Sequence, residues 1–276
     1  MVYKRSYTMR WFIFATLLFI AILTFYPILF MGFAVFKPTI EYFKSPLAFP
    51  KTAYLDNLKA MYYAFDIFRL FGNTLFCVVV ASIINLSLTV PAAYTFAKRN
   101  FPFRSQLYIV VIGVSTIPTI TFILPNYLFM SKLNLLNTPL SVILIWVAAS
   151  IPWTVFLLSS LMRSIPSESI EAVTIDGGNY FSLLLRVIVP LSTPAIATVS
   201  IFNVTNWWND LLTPLIFLQS DSVKTMTAGL ATLISRFSSD VPLQITGLFL
   251  TSLPPMLIYI FLQKFIQQGL VVGAVK

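Results

Sequence analysis

Six long stretches of this sequence contain no charged residue, and they constrain the fold more than any other feature. They are 11–36, 70–97, 105–131, 133–162, 187–209 and 241–263. Each reaches the roughly 20 residues that an α-helix needs to cross about 30 Å of hydrocarbon. Membrane strands would need only about 9–11 residues with alternating polarity, and these stretches do not alternate. The pattern predicts an all-α polytopic membrane protein with six transmembrane helices, in a single transmembrane domain over 1–276.

The composition agrees with a chain that faces lipid. It is 58% hydrophobic and only 10% charged, with a mean hydropathy of +0.87. Soluble domains average about 45–50% apolar and about 25% charged residues. The formal net charge of +9 would suggest nucleic acid in a soluble protein. In a membrane protein the same excess marks cytoplasmic loops, so we expect a lipid bilayer and no nucleic acid as partner.

Two dense clusters of basic residues predict the orientation. One cluster precedes the first span and the other lies between the second and third spans; they contain Lys4, Arg5, Arg10, Lys98, Arg99 and Arg104. With six spans, both clusters lie on one side of the membrane, together with 163–186 and the C-terminus. Because short loops rich in Lys and Arg stay in the cytoplasm, both termini are predicted to be cytoplasmic.

The segment 163–186 carries the local signals of a short helix between two spans. Its start has the residue types that favour helix N-termini, namely Ser164, Pro166, Ser167, Glu168 and Glu171. The Gly pair at 177–178 ends it, because Gly adopts a positive φ without steric penalty. We therefore predict a helix over 168–178 and a second helical run from Tyr180.

Two interpretations of this predicted helix are open at the level of the residues. Most loops of this composition are solvated connectors. However, Ile170 and Val173 share one face of the helix, and a short capped helix with an apolar face is also what docking to a cytoplasmic partner requires.

Three motifs in this chain resemble one transporter family. The segment Glu171-Ala172-Val173-x-x-Asp176-Gly177-Gly178 is similar to the EAA signature of permease subunits of binding-protein-dependent ABC importers. The segment from Trp208 to Leu215 is similar to the W-N-D-F-x-x-P-L segment of the carbohydrate, maltose-transporter-type branch. The C-terminal tail, Gly269 to Lys276, is similar to that branch's G-x-x-x-G-A-V-K ending. With the matching topology, the resemblance covers essentially the whole chain.

The resemblance implies a coupling role for the 168–178 helix, seated in a cleft of a separate ATPase subunit. The residues that carry this role would be Glu171, Ala172, Asp176, Gly177 and Gly178. Glu171 would pair with a basic group of the ATPase, and Gly177 would allow a tight exit. The chain departs from the family pattern at Val173, where a second Ala is usual, and at Gly178, where Ala is usual. The resemblance also implies that the tail, with Gly273 and Lys276, contacts the ATPase dimer; the other interpretation is a frayed terminus.

The residues needed for catalysis by this chain are missing from the sequence. No G-x-x-x-x-G-K-[ST] motif occurs, so the chain has no phosphate-binding loop of its own. It contains no His and one Cys, Cys77, which removes ordinary zinc sites and Cys–His nucleophiles. We predict no enzyme, no metal site and no cofactor in this chain; the resemblance implies that a partner ATPase binds ATP and Mg²⁺.

A polar cluster near the end of the fifth span is the candidate solute path. It consists of Asn203, Asn206, Trp207, Asn209 and Asp210. Neutral amides beside aromatic faces suit a polyhydroxylated solute, which needs hydrogen bonds and ring stacking. Hydrogen bonding between helices together with an interfacial Trp belt would equally explain the cluster.

The sequence thus predicts one permease subunit of an ATP-driven sugar importer in a prokaryotic cytoplasmic membrane. By resemblance, its partners would be a second homologous permease, two ABC ATPase subunits and an extracytoplasmic solute-binding protein. The alternatives are an ABC permease for a polyamine or a glycerol-phosphate-like solute, a secondary carrier, and an intramembrane hydrolase. The absence of charged residues inside the six stretches disfavours a carrier that relays protons.

Overall fold

A computed structural model describes residues 7–63, 65–175, 177–236 and 239–274 of the chain, and these residues form helices and no strand. The helices are α1 (Tyr7–Val35), α2 (Thr39–Lys44), α3 (Asp56–Tyr63), α4 (Ile67–Lys98), α5 (Arg104–Val114), α6 (Ile123–Lys132), α7 (Pro139–Met162), α8 (Ser167–Ile175), α9 (Tyr180–Leu183), α10 (Val189–Leu191), α11 (Thr193–Asn209), α12 (Leu212–Phe217), α13 (Met226–Arg236) and α14 (Val241–Ala274). A 3₁₀ turn, Thr119–Phe122, precedes α6, and a π-helical turn, Leu184–Ile188, joins α9 to α10. The predicted all-α class is confirmed.

Four of the six predicted spans are single helices long and apolar enough to cross a membrane: α1, α4, α7 and the part Val241–Phe261 of α14. The prediction that 133–162 is one span is wrong at its start, because the helix begins at Pro139. The backbone turns at Asn134 and Asn137, which have φ of 55° and 60°. Asn tolerates this left-handed conformation better than most residues, so the chain reverses here before α7.

The other two predicted spans are broken helices. In 105–131, Arg104–Val114 and Thr119–Lys132 meet at 85°, and in 187–209, Tyr180–Leu191 and Thr193–Asn209 meet at 76°. A proline lies at each break: Pro118 immediately precedes the second segment of the first pair, and Pro194 is the second residue of α11. Proline disfavours the α conformation in the residue before it and cannot donate a backbone hydrogen bond. The number of spans is therefore four, or up to six if each bent pair crosses once, and the exact count of six stays a prediction.

The described chain divides into two compact units, Met1–Ile67 with Leu230–Leu253, and Phe68–Gly229 with Pro254–Lys276; the single domain over 1–276 stays a prediction. In the first unit, the fully buried Lys37 donates from Nζ to the carbonyls of Ser45 and Pro46, at 2.9 and 2.8 Å. Asn57 donates to the carbonyl of Lys37 at 2.9 Å. These bonds satisfy buried polar groups and hold the segment that follows α1.

The second unit contains two apolar clusters along α4, α7 and α11. One is built around Trp146, Trp208 and Phe217. The other is built around Tyr94 and Leu158 and includes side chains of α9 and the π-helical turn. The first cluster borders a cavity. The second cluster packs against the helical segment between α8 and α11, which includes α9, the π-helical turn and α10.

Candidate functional site

The predicted helix in 163–186 exists as α8, Ser167–Ile175. Ile170 and Val173 pack, partly buried, against the cluster that contains Leu183 and Leu158, as the shared face predicted. Glu171 lies on the exposed side. Of the other predicted coupling residues, Ala172 lies within the helix and Asp176 lies outside the described residues. One face of α8 is therefore anchored, and the acidic side chain at Glu171 is available to a partner.

Two glycines form the exit of α8. Gly177 has φ +74°, the left-handed conformation that favours glycine. The N–H of Gly178 donates to the carbonyl of Val173 at 2.9 Å. This six-residue closure after a left-handed residue is the Schellman cap, which satisfies a carbonyl that the helix end would leave without a partner. The predicted stop signal is confirmed at Gly177 and Gly178.

The two departures from the family pattern meet in space. A Cβ added to Gly178 would lie 2.5 Å from Cγ1 of Val173 and 2.9 Å from its carbonyl oxygen. An Ala at 178 would therefore crowd both the side chain and the carbonyl of Val173, and Gly178 leaves room for both. The two differences act as a matched pair in the cap of α8.

This pairing predicts a non-additive result. Gly178→Ala alone should crowd Val173, weaken the cap and accelerate amide exchange in α8 about tenfold, as expected for about 1.4 kcal/mol of local destabilisation. The double variant with Val173→Ala should recover part of that loss, because Cγ1 is gone while the carbonyl oxygen of residue 173, at 2.9 Å, remains. Hydrogen–deuterium exchange of the α8 peptide in detergent measures both. Additive effects of the two substitutions would contradict the pairing.

A bent helical arm connects α8 to α11. Asn179 caps the start of α9 by accepting a hydrogen bond from the N–H of Ser182 at 2.9 Å. The arm continues through the π-helical turn and α10 to Ser192, where its axis changes direction by 76° and α11 begins. Buried side chains of the arm, including Leu184 and Ile188, pack in the cluster around Tyr94. The predicted second run from Tyr180 is confirmed, and it leads directly into the helix that carries the polar cluster.

A cavity of about 630 Å³ lies at the far end of α11. Its walls come from α7, α11, α12 and the bent pair around Pro118, all in the second unit. Of the five residues predicted to line the solute path, four line this cavity: Asn203, Asn206, Trp207 and Asp210. Asn209 is not part of the wall, and its amide donates to the carbonyl of Thr205, one turn back in its own helix, at 2.8 Å.

Asn203 joins three helices. It is 3% exposed, and its amide donates to Oγ1 of Thr154 at 2.9 Å and to Oδ1 of Asn85 at 3.4 Å. The Asn85 amide in turn donates to Oγ of Ser150 at 2.9 Å. This network ties α4, α7 and α11 together beneath the cavity. For Asn203, hydrogen bonding between helices is therefore the interpretation that the geometry favours.

Asp210 orients one aromatic wall of the cavity. Its Oδ2 accepts a hydrogen bond from the indole N–H of Trp146 at 2.7 Å, and its Oδ1 accepts one from the N–H of Thr213 at 3.3 Å. The backbone carbonyl of Asp210 accepts from Oγ1 of Thr227 at 2.7 Å. The rings of Trp146 and Trp207 are nearly parallel, with 9° between their planes and 6.1 Å between their centroids. The carboxylate thus fixes a pair of stacked indoles.

The sequence did not single out two tryptophans of this wall, Trp146 and Trp153. Both lie in the middle of the apolar run of α7, where no local signal separates a lining residue from a packing residue. Asn206, in contrast, is exposed, and its amide makes no hydrogen bond to the described residues. The cavity wall therefore offers flat indoles, two free amides (Asn126 and Asn206) and one carboxylate, and contains no Lys or Arg among the described residues.

Of the two tail residues predicted to contact the ATPase, the structure describes one. Gly273 lies within α14, and Lys276 lies outside the described residues. Contact between this tail and an ATPase stays a prediction.

These features together define a class of protein: a polytopic helical membrane protein in which a capped loop helix runs, through a bent arm, into a helix that lines a cavity. A family model described as the inner membrane component of binding-protein-dependent transport systems matches residues 86–272. The chain belongs to this family, and it is the membrane component of a transport system.

Two curated relatives and one solved structure place it more closely. The chain is 32% identical to a putative ABC transporter permease protein of Caldicellulosiruptor sp. (strain Rt8B.4), over 91% of each chain. It is 29% identical to the arabinooligosaccharides transport system permease protein AraQ of Halalkalibacterium halodurans, over 99% of each chain. The crystal structure of a bacterial ABC transporter that imports the acidic polysaccharide alginate contains a chain with the same fold, at 19% identity and a TM-score of 0.82, covering 96% of this chain and 99% of that one.

Proposed function

We propose that this chain is one permease subunit of an ATP-driven ABC importer for carbohydrates. It would work with a second homologous permease, two ATPase subunits that bind ATP and Mg²⁺, and an extracytoplasmic solute-binding protein. The observation that carries the proposal is the bent arm, which begins just after the cap of α8 and leads through Ser192 to the cavity-lining α11. Such a connection is what a separate ATPase would need in order to move the solute path.

In the proposed mechanism, α8 is the contact with the ATPase. Its apolar face is anchored by Ile170 and Val173, while Glu171 remains exposed for a basic group of the partner. Closure of the ATPase dimer would displace α8, and the arm would transmit this displacement across the bend at Ser192 to α11. Because α11 carries Asn206 and Trp207, the cavity would open alternately to the two sides of the membrane.

The cavity chemistry supports a carbohydrate solute. Indole faces at Trp146, Trp153 and Trp207 suit the apolar faces of sugar rings, and the free amide of Asn206 can both donate to and accept from hydroxyls. The relative from Halalkalibacterium halodurans, named for arabinooligosaccharide transport, supports the same class. In the proposed orientation both termini, α8 and the loop 98–104 face the cytoplasm of a prokaryotic cell.

The experiment is to purify the tagged chain in mild detergent from its native membrane, identify its partners, and reconstitute the complex in vesicles. We expect a P-loop ATPase and a second polytopic permease to copurify, and oligosaccharide uptake to require both ATP and the binding protein. Uptake by the chain alone without ATP would contradict the proposal. ATP-dependent uptake of a polyamine in place of sugars would contradict the carbohydrate assignment alone.

A pair of variants on α11 tests the cavity within the same assay. Asn206→Ala removes one of the two free amides from the wall and should raise the half-saturating sugar concentration about five- to tenfold, the usual loss for one to two hydrogen bonds. Asn209→Ala, one turn further along and outside the wall, is the matched control and should leave uptake unchanged. Equal effects of the two substitutions on uptake would show that the solute path does not run through this cavity.

A further inference from the structure

Four basic residues lie at or next to the ends of α4, α5 and α7 in the second unit: Lys98, Arg99, Arg104 and Arg163. We refer to these four residues as the basic cluster. Nζ of Lys98 donates to the carbonyls of Arg163, at 2.9 Å, and of Ile165. Lys98 thereby caps the end of α7 from the end of α4.

Arg104 makes the corresponding contact in the other direction. Its Nε and one terminal nitrogen donate to the carbonyl of Phe96 at 3.0 and 2.6 Å, and its other terminal nitrogen donates to Oδ1 of Asn100 at 3.1 Å. Lys98 and Arg104 therefore use their donors to close helix ends. They contribute positive charge at fixed positions.

The other two members of the basic cluster have their guanidinium groups available. The guanidinium of Arg163 lies 5.6 Å from the ring centroid of Tyr108, and that of Arg99 lies 5.9 Å from the ring centroid of Tyr94. Neither guanidinium donates a hydrogen bond to the described residues. Stacking on an aromatic ring orients a guanidinium but leaves its N–H groups free for a planar anion.

No acid neutralises this charge within the described part of the chain. None of the four side chains forms an ion pair within 4.0 Å with a carboxylate of the described residues. Four cations held together without a counter-ion repel one another, so an external anion that binds among them is favoured.

The surroundings of the basic cluster identify the kind of anion. The face of α5 next to Arg104 is apolar and exposed: Phe103 is 72%, Leu107 49% and Val110 62% exposed. In a membrane protein such a face lies against acyl chains. The cationic groups then lie at the polar end of a lipid-facing surface, which is the level of the headgroups.

We propose that the basic cluster binds the phosphate headgroup of an anionic phospholipid, with Arg99 and Arg163 as the phosphate donors and α5 as the surface for its acyl chains. Lys98 and Arg104 supply charge and hold the helix ends in place. The lipid would join α4, α5 and α7 at one end of the cavity-bearing unit. This site is independent of the solute and does not rest on the proposed function.

Native mass spectrometry of the full-length chain in detergent, titrated with phosphatidylglycerol or phosphatidylcholine, tests the proposal. We expect phosphatidylglycerol to bind at least tenfold more tightly than phosphatidylcholine. Arg99→Gln with Arg163→Gln should weaken phosphatidylglycerol binding about 30-fold, since each surface cation contributes roughly 1 kcal/mol to binding an anionic lipid. The matched control is Lys51→Gln with Lys132→Gln, which removes the same amount of charge away from the basic cluster. Lys132 ends α6 and so precedes the start of α7, whereas the basic cluster lies at the other end of α7. This control should change binding less than threefold.

Three further measurements keep the proposal falsifiable. Arg99→Lys with Arg163→Lys preserves the charge, should fold as the wild type does, and should show intermediate binding because the planar fork is lost. Displacement of the lipid by millimolar inorganic phosphate would overturn the assignment to a headgroup in favour of a free-phosphate site. If Arg99→Gln with Arg163→Gln loses a copurifying protein subunit but binds lipid as before, the lipid assignment is overturned in favour of an acidic protein surface.

Discussion

Gly177→Val should reduce sugar uptake to below a tenth of the wild-type rate while the chain still inserts into the membrane. Gly177 has φ +74°, where a Cβ costs roughly 1–2 kcal/mol and a β-branched side chain costs more. The chain would relieve this strain by leaving the left-handed conformation. The Gly178–Val173 hydrogen bond would then be lost, and with it the direction in which the arm leaves α8.

The measurements are binding-protein-stimulated ATP hydrolysis and uptake in reconstituted vesicles, made on the same preparations. We expect hydrolysis that no longer responds to the binding protein. Gly177→Asn should retain more activity than Gly177→Val because Asn adopts positive φ more readily. The control is Gly113→Ala in α5, where an added Cβ meets no atom within 4 Å. Unchanged uptake in Gly177→Val would show that the exit of α8 is not needed to couple ATP hydrolysis to uptake.

Asp210→Ala should lower uptake more than tenfold and also destabilise the second unit. The substitution removes the acceptor of two hydrogen bonds, one from the indole N–H of Trp146 and one from the backbone N–H of Thr213. Trp146 is only 3% exposed. A buried donor without a partner costs about 1–3 kcal/mol. Trp146 would lose its fixed orientation against Trp207, so the aromatic wall of the cavity would lose its shape.

Thermal unfolding in detergent and uptake in vesicles check this prediction together. Asp210→Asn keeps an acceptor oxygen for Trp146 and should restore most of the stability. Asp56→Ala is the matched control, because Asp56 forms an exposed ion pair with Lys59 at 2.9 Å, and exposed pairs contribute little. A response to Asp210→Ala no larger than that to Asp56→Ala would show that the carboxylate does not organise the wall.

The helical class and the family were readable from the sequence because their causes are local. Uncharged length alone decides that a stretch lies in lipid. The cap of α8 depends on residues within a few positions of each other, and Gly177 and Gly178 stop the helix where the sequence predicted. Which prolines break a helix was not predictable, because a proline such as Pro118 is compatible with a kink, a break or a continuous helix, and the contacts around it decide among these outcomes.

Within the polar cluster of α11, the sequence determined the residue types and the tertiary structure decided their roles. Asn203, Asn206 and Asn209 look equivalent along the chain. Packing against α4 and α7 makes Asn203 a bonded member of a network, while Asn206 faces the cavity and Asn209 bonds to its own helix. Trp146 joins the wall across 64 residues of sequence through its bond to Asp210.

The resemblance of three motifs to one family pointed to transport, and the sequence by itself determined that the chain is a helical membrane protein with a capped loop helix. These properties follow from local hydrophobic length and from backbone preferences, which need no knowledge of distant residues. Only the tertiary structure decided which polar residues line a cavity, which aromatic rings form its wall, and that Val173 and Gly178 fit each other. These properties depend on contacts between residues and helices brought together in space, and the periodicity of a single helix does not encode them.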